Sequence, residues 1–174
     1  YIGGSFDLVV LRFMDMIKCF PSIVFTLVIV AILVSHITNI IMAVGITRFP
    51  RFARIMRGAV LSVKEEDYVE AAKASGAKGI RIFFKHIFPN CVSSLIVVST
   101  LNIATAILVA AGLSFLGMGI QPPTPEWGSM ISGGRRFMLV ASHVAFFPGI
   151  AIMFAVMGFN MLGDGLRDAL DPKV

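Results

Sequence analysis

Charge is what this 174-residue chain has least of. Charged residues make up 14% of it and hydrophobic residues 57%, where a soluble domain carries about 25% charged residues. Mean hydropathy is +0.88. That balance excludes an ordinary soluble domain and points to a membrane protein. Cysteine is nearly absent: Cys19 and Cys91 are far apart and form no CxxC pair, so no disulfide framework is expected and each should pack as a small apolar group. No G-x-x-x-x-G-K-[ST] run occurs, so the phosphate-cradling loop that ATP binding needs is missing. His36, His86 and His143 are dispersed, without HExxH or paired spacing, and no metal site is expected. His36 reads as a turn residue, His86 as a helix-face residue near the membrane surface, and His143 as a packed polar group within a span. No Ser/His/Asp constellation supports an intramembrane enzyme. A basic leader with a small-residue cleavage site is not visible. The chain opens on Tyr1 rather than Met, so it is read as part of a longer protein.

What is present is a series of long uncharged runs. Residues 22–35 and 40–47 are apolar, with Ser35-His36-Ile37-Thr38-Asn39 between them. One span over 22–47 satisfies length. It would, however, set Arg12 and Lys18 opposite Arg48, Arg51, Arg54 and Arg57, against the positive-inside tendency. Two spans, about 21–36 and 39–57, joined by a polar turn, return both basic groups to the cytoplasmic side, with the arginines snorkelling to the headgroups. Residues 91–117 carry no charge and make a third span. Residues 138–162, with a kink expected at Pro148-Gly149, make a fourth. The net charge of +5 is no argument for nucleic acid, because most of the basic residues flank apolar runs.

Between the spans lie connectors. Residues 3–20 alternate apolar and charged positions, with Leu8, Leu11, Met14 and Lys18 at helical spacing, and read as a surface or connecting helix. Residues 119–137, with Pro122, Pro123 and Pro125 ahead of Glu126, read as a loop with Trp127 as an interfacial anchor. Residues 163–174 read as a short polar tail. Inside the third span, Ala106, Ala110 and Ser114 form a small-residue stripe for close helix packing. Ser99, Asn102 and Thr105 form a polar strip that either bonds a neighbouring helix or faces a watery translocation path; spacing does not choose. Met153, Met157 and Met161 read as lipid or helix packing rather than a metal path.

The most charged stretch is 62–90, SVKEEDYVEAAKASGAKGIRIFFKHIFPN. Ser62 and Glu65 make a capping-box pair, so a helix is expected to start there, with Glu65, Glu66 and Asp67 in its first turn. Lys73 sits near its end and Gly76 stops it. A second helix follows, with Ile80, Phe83, Phe84 and Ile87 on one stripe, and Pro89 marks a break or bend. Glu70 has two readings, a solvated residue paired with Lys73 at i+3, or a contact with a partner.

These residues resemble the EAA loop of ABC importer permeases. Glu70-Ala71-Ala72, Gly76 four residues later and Phe88-Pro89 keep that loop's spacing, with His86 where Ile is usual and Phe88 where Leu is usual. The opening YIGGSFDLVVLRFMD, the FPS at 20–22, LSFLGMGIQPPTPEWG at 113–128 and GDGLRDALDP at 163–172 are similar to the dipeptide/oligopeptide/nickel branch, in its second permease. The resemblance implies an all-α polytopic transmembrane helix bundle, the type I transmembrane domain of an ABC importer, with two further N-terminal spans. It implies a cytoplasmic coupling loop at 58–90 in which Tyr68, Glu70, Ala71, Ala72, Gly76 and Pro89 engage an ATPase subunit. Tyr68, Val69, Ala71 and Ala72 would give the docking face. It further implies the inner membrane as location, a second permease in a heterodimer, two ABC ATPase subunits that hold ATP and Mg, and an extracytoplasmic solute-binding protein. The solute is a di- or oligopeptide, or alternatively nickel or another small solute. A secondary transporter or channel is the reading of another class; it calls for charge at the midplane, and none lies in the runs from Cys91 on.

Overall fold

The computed structural model describes residues 4–33 and 36–170, and among them every regular element is helical. Ser35 of the expected turn and residues 171–174 of the expected tail lie outside that description. α1 (Gly4–Lys18) is the connecting helix foreseen, and α2 (Ser22–Leu33) departs from it at 84°. α3 (Ile37–Lys64) folds back along α2. His36 caps α3, its Nδ1 accepting from the Thr38 N–H at 3.4 Å, so it is a turn residue as expected. Asn39 Nδ2 donates to the Leu33 carbonyl across the same turn. Farther along, the Thr26 and Thr47 hydroxyls lie 3.3 Å apart. Val30, Ile40, Ala43, Val44 and Leu113 form the core of this hairpin, with Ala106 and Ala110 packed against it. The small-residue stripe therefore does what small residues do in helix pairs, letting backbones close up.

α3 continues to Lys64, about two turns beyond Arg57, and this corrects the capping-box expectation. Ser62 lies in the last turn of α3 and Glu65 is its C-cap. The next helix, α4 (Asp67–Ala74), starts after Glu66, which makes no side-chain cap bond. A Ser-x-x-Glu pattern cannot distinguish a beginning from an end when two helices meet with only two residues between them.

The second helix of the charged stretch is no separate element. α5 (Gly79–Ile82), a π-helical turn (Phe83–Ile87) and α6 (Phe88–Phe115) run on as one rod of 37 residues. Pro89 lies inside this rod, just after the π-helical turn, where its missing N–H and its ring disturb the preceding turn. The widened turn ahead of it, closed by the Phe88 N–H on the Phe83 carbonyl, absorbs the disturbance. The inserted residue also rotates the helix faces. Ile82, Ile87 and Cys91 point inward, whereas Ile80 and Phe84 of the expected stripe are exposed.

Beyond α6, the expected loop holds a helix, α7 (Trp127–Gly134), capped by Glu126, whose carboxylate accepts from the Ser129 N–H at 2.7 Å. α7 lies against both α6 and α8 (His143–Leu170). Gly128 makes that possible, since a Cβ there would stand 2.7 Å from Ala111 Cα and closer still to its carbonyl oxygen. α8 begins and ends later than the expected span, so residues 163–170 are helix rather than tail. Pro148 lies within it. His143 is exposed at the head of α8, not packed within a span, and Cys19 is exposed, unlike Cys91.

Two rods, Gly79–Phe115 and His143–Leu170, are long and apolar enough to cross a membrane, and α1 with α2 would make a third if that bent pair is one span. α2 alone has 12 residues, about 18 Å against a hydrocarbon core of about 30 Å.

Candidate functional site: the outward helix α4 and the Arg48 node

α4 is held from behind by its own chain. Val69 is fully buried and packs with Val60 of α3 and with Ile82, Ile87 and Cys91 of the long rod, and Ala72 rests against the same cluster. Val69 is thus taken up internally, which corrects the expectation that it faces a partner, whereas Ala72 is only half-buried. The opposite surface of α4 is open: Asp67, Glu70, Ala71, Lys73 and Ala74 line a shallow depression of about 450 Å³. Among the described residues no ion pair joins Glu70 to Lys73, so the pairing foreseen does not form and Glu70 stands exposed.

Gly76 ends α4 as expected. Its φ of +77° is left-handed, and the flanking N–H groups of Ala77 and Gly76 close on the Ala72 and Lys73 carbonyls at 3.1 and 2.9 Å. This double bond pattern fixes the angle at which the chain leaves for α5. Tyr68 is partly exposed and its ring lies 6.4 Å from that of His86 in the π-helical turn, tilted by 44°. Partial burial, with Glu66 nearby, pushes the Tyr68 hydroxyl above its ordinary value. Pro89 is exposed one turn beyond His86. Tyr68, Gly76 and Pro89 therefore surround the joint between α4 and the rod, while Glu70 and Ala71 face away from it.

The polar strip on α6 meets an arginine. Arg48 Nη1 on α3 donates to Asn102 Oδ1 at 3.0 Å and to Thr105 Oγ1 at 2.6 Å. Asn102 is buried and its Nδ2 donates to the Val98 carbonyl at 2.7 Å, while Thr105 is exposed. Ser99 stands apart, its hydroxyl donating to the Leu95 carbonyl. Of the two readings of the strip, helix-to-helix bonding holds for Asn102 and Thr105. Arg54 and Arg57 pair with Asp15 and Asp7 of α1. The arginines expected to snorkel are thus mostly bonded within the chain, which an average over charge and hydropathy does not reveal. Among the described residues no three His, Cys, Asp or Glu side chains gather as a metal ion would need.

The whole chain, residues 1–174, matches the family described as "Binding-protein-dependent transport system inner membrane component". It is 48% identical over 174 residues to the glutathione transport system permease protein GsiD of Escherichia coli O6:K15:H31 (strain 536 / UPEC) and to that of Shigella boydii serotype 4 (strain Sb227). All of this chain is covered in both alignments, and 57% of each relative, so it spans a little over half the length of those proteins.

Proposed function

Because this chain belongs to the family of binding-protein-dependent transport system inner membrane components, we propose that it is a permease subunit of an ATP-driven ABC importer. In this reading it lies in the inner membrane, lines the translocation path for di- or oligopeptides, and couples to separate ATPase subunits. Relatives named for transport of glutathione, itself a tripeptide, favour peptides over nickel. In this reading four segments cross the membrane: 91–117 and 138–162, carried by the rods Gly79–Phe115 and His143–Leu170, and about 21–36 and 39–57 in the α2–α3 hairpin, its short α2 arm accommodated by local thinning of the bilayer. The hairpin has its turn on the outer side and its ends with α4 on the cytoplasmic side.

The observation that carries the proposal is the mounting of α4. Its inner face is locked to α3 and to the α6 rod through Val69, and its outer face, with Glu70 and Ala71, is free. A push on that outer face reaches two membrane helices at once. ATP and Mg belong to the ATPase subunits, since this chain has no phosphate-cradling loop. Nucleotide binding there biases the bundle between inward- and outward-open states. A second permease completes the path, and an extracytoplasmic binding protein delivers the solute.

The test is reconstitution of the complete transporter with Glu70→Ala in this subunit. Glu70 makes no ion pair among the described residues, so the variant should fold, yet lose ATPase association or hydrolyse ATP without uptake. Wild-type association and coupling in the variant would remove the docking role of α4.

A further inference from the structure

In the four-span reading Arg48 is the midpoint of segment 39–57 and Asn102 and Thr105 flank the midpoint of segment 91–117, so this reading sets Arg48 where a charge is most expensive. A cationic side chain at such depth is rare and marks a site by default. Both protons of Nη1 are used, on Asn102 and Thr105. Nε–H and the two protons of Nη2 have no partner among the described residues, and neither ion pair among them includes Arg48. Asp7 and Asp15, the acids nearest in the fold to the arginine row, are occupied by Arg57 and Arg54. Two neutral oxygens therefore hold the guanidinium in place without neutralising it. What they leave open is the Nε/Nη2 edge, the fork whose parallel N–H groups match the two oxygens of a carboxylate. Thr105 is exposed, so the node borders accessible surface rather than sealed core.

We propose that Arg48 is a carboxylate-binding site in the translocation path, taking the C-terminal carboxylate of a passing peptide, with Asn102 and Thr105 as positioning residues. The inference rests on the permease reading above. Binding at mid-depth offsets desolvation of the anionic end just where the bilayer penalises it, and the single fork keeps the solute from being held too tightly to leave.

The experiment uses the full transporter in proteoliposomes, with both permeases, the ATPases and the binding protein. Uptake of radiolabelled glutathione is compared with uptake of its glycine carboxamide, for wild type and Arg48→Gln. The binding protein is common to both, so its own preference cancels when the acid-to-amide ratios of wild type and variant are compared. The ratio should fall roughly tenfold in Arg48→Gln, the size of one lost hydrogen bond to a charged group. Arg48→Lys keeps the charge without the fork and should give an intermediate ratio. It also decides the matter if Arg48→Gln does not assemble, a lowered ratio supporting the site. An unchanged ratio, or equal loss of acid and amide, overturns the site and leaves the permease reading standing. If wild type takes up neither solute, a di- or tripeptide and its C-terminal amide replace them, and failure of wild type to take up any such peptide overturns the peptide-permease reading, and the site with it.

Discussion

Arg57 grips Asp7 with two nitrogens: Nε lies 3.0 Å from both carboxylate oxygens and Nη2 lies 2.7 Å from Oδ2. Together with Arg54 and Asp15, this ties α1 to α3 across the outside of the hairpin. The hydrogen bonds from Arg57, aided by its charge, hold the Asp7 carboxyl below its ordinary value. A lowered value in the folded state means stabilisation that is present above the unfolded carboxylate value of about 3.9 and disappears as pH falls through the lower folded one. Asp7→Asn should therefore melt slightly below wild type at neutral pH in detergent, and the two melting curves should converge in acid. A gap that does not shrink at all as pH falls below the unfolded carboxylate value contradicts the ion pair as its source.

Gly128 is where α7 meets the backbone of α6. Gly128→Ala places a methyl group inside Ala111, and the helices must separate. We expect about 1–3 kcal/mol of destabilisation, as for overpacked cores. Gly133→Ala, on the same helix with nothing within 4 Å of the new Cβ, serves as control and should be close to neutral. Thermal melts of the three proteins make the comparison.

At Gly76 space is no issue, since an added Cβ meets nothing within 4 Å. Conformation is. A left-handed backbone costs a residue with a Cβ about 1–2 kcal/mol, so Gly76→Ala should destabilise the α4–α5 corner. Asn, which tolerates this region better, should cost less. Hydrogen exchange of the Gly76 and Ala77 amides reports it locally; equal protection in wild type and Gly76→Ala refutes it.

Val69 and Glu70 are adjacent but act on different partners. Val69→Ala removes part of a fully buried side chain from the cluster behind α4 and should cost about 2 kcal/mol. Its effect on stability exceeds that of Glu70→Ala, while Glu70→Ala has the larger effect on coupling. Melting temperature and uptake per ATP hydrolysed, measured on both variants, separate the two. A Val69→Ala protein as stable as wild type would mean that α4 is not anchored through that side chain.

Helix class, a long apolar helix through 91–115 and another through 143–162, the stop at Gly76 and the turn at His36 were all legible in the chain. Each depends on residues close in sequence, read by hydropathy, by capping or by the permissiveness of glycine. The face turned inward by residues 79–91 was not legible, because a 3.6-residue template assumes an unbroken helix and the π-helical turn at Phe83–Ile87 shifts the register by one. α7 was hidden by the prolines ahead of it and by its N-cap, Glu126, which is not among the residue types that ordinarily mark a helix start.

For the Arg48 node, the chain alone supplied two separate facts, a cation in one apolar segment and a polar strip in another. Their union spans 54 and 57 residues of sequence, and no local pattern encodes such a distance. The sequence by itself determined that this is a membrane-embedded helical protein with a charged elbow, because hydrophobic length and helix-stop chemistry are local properties. Only the tertiary structure decided which side of the elbow is free and which arginine keeps an unused fork, because those depend on which helices pack together.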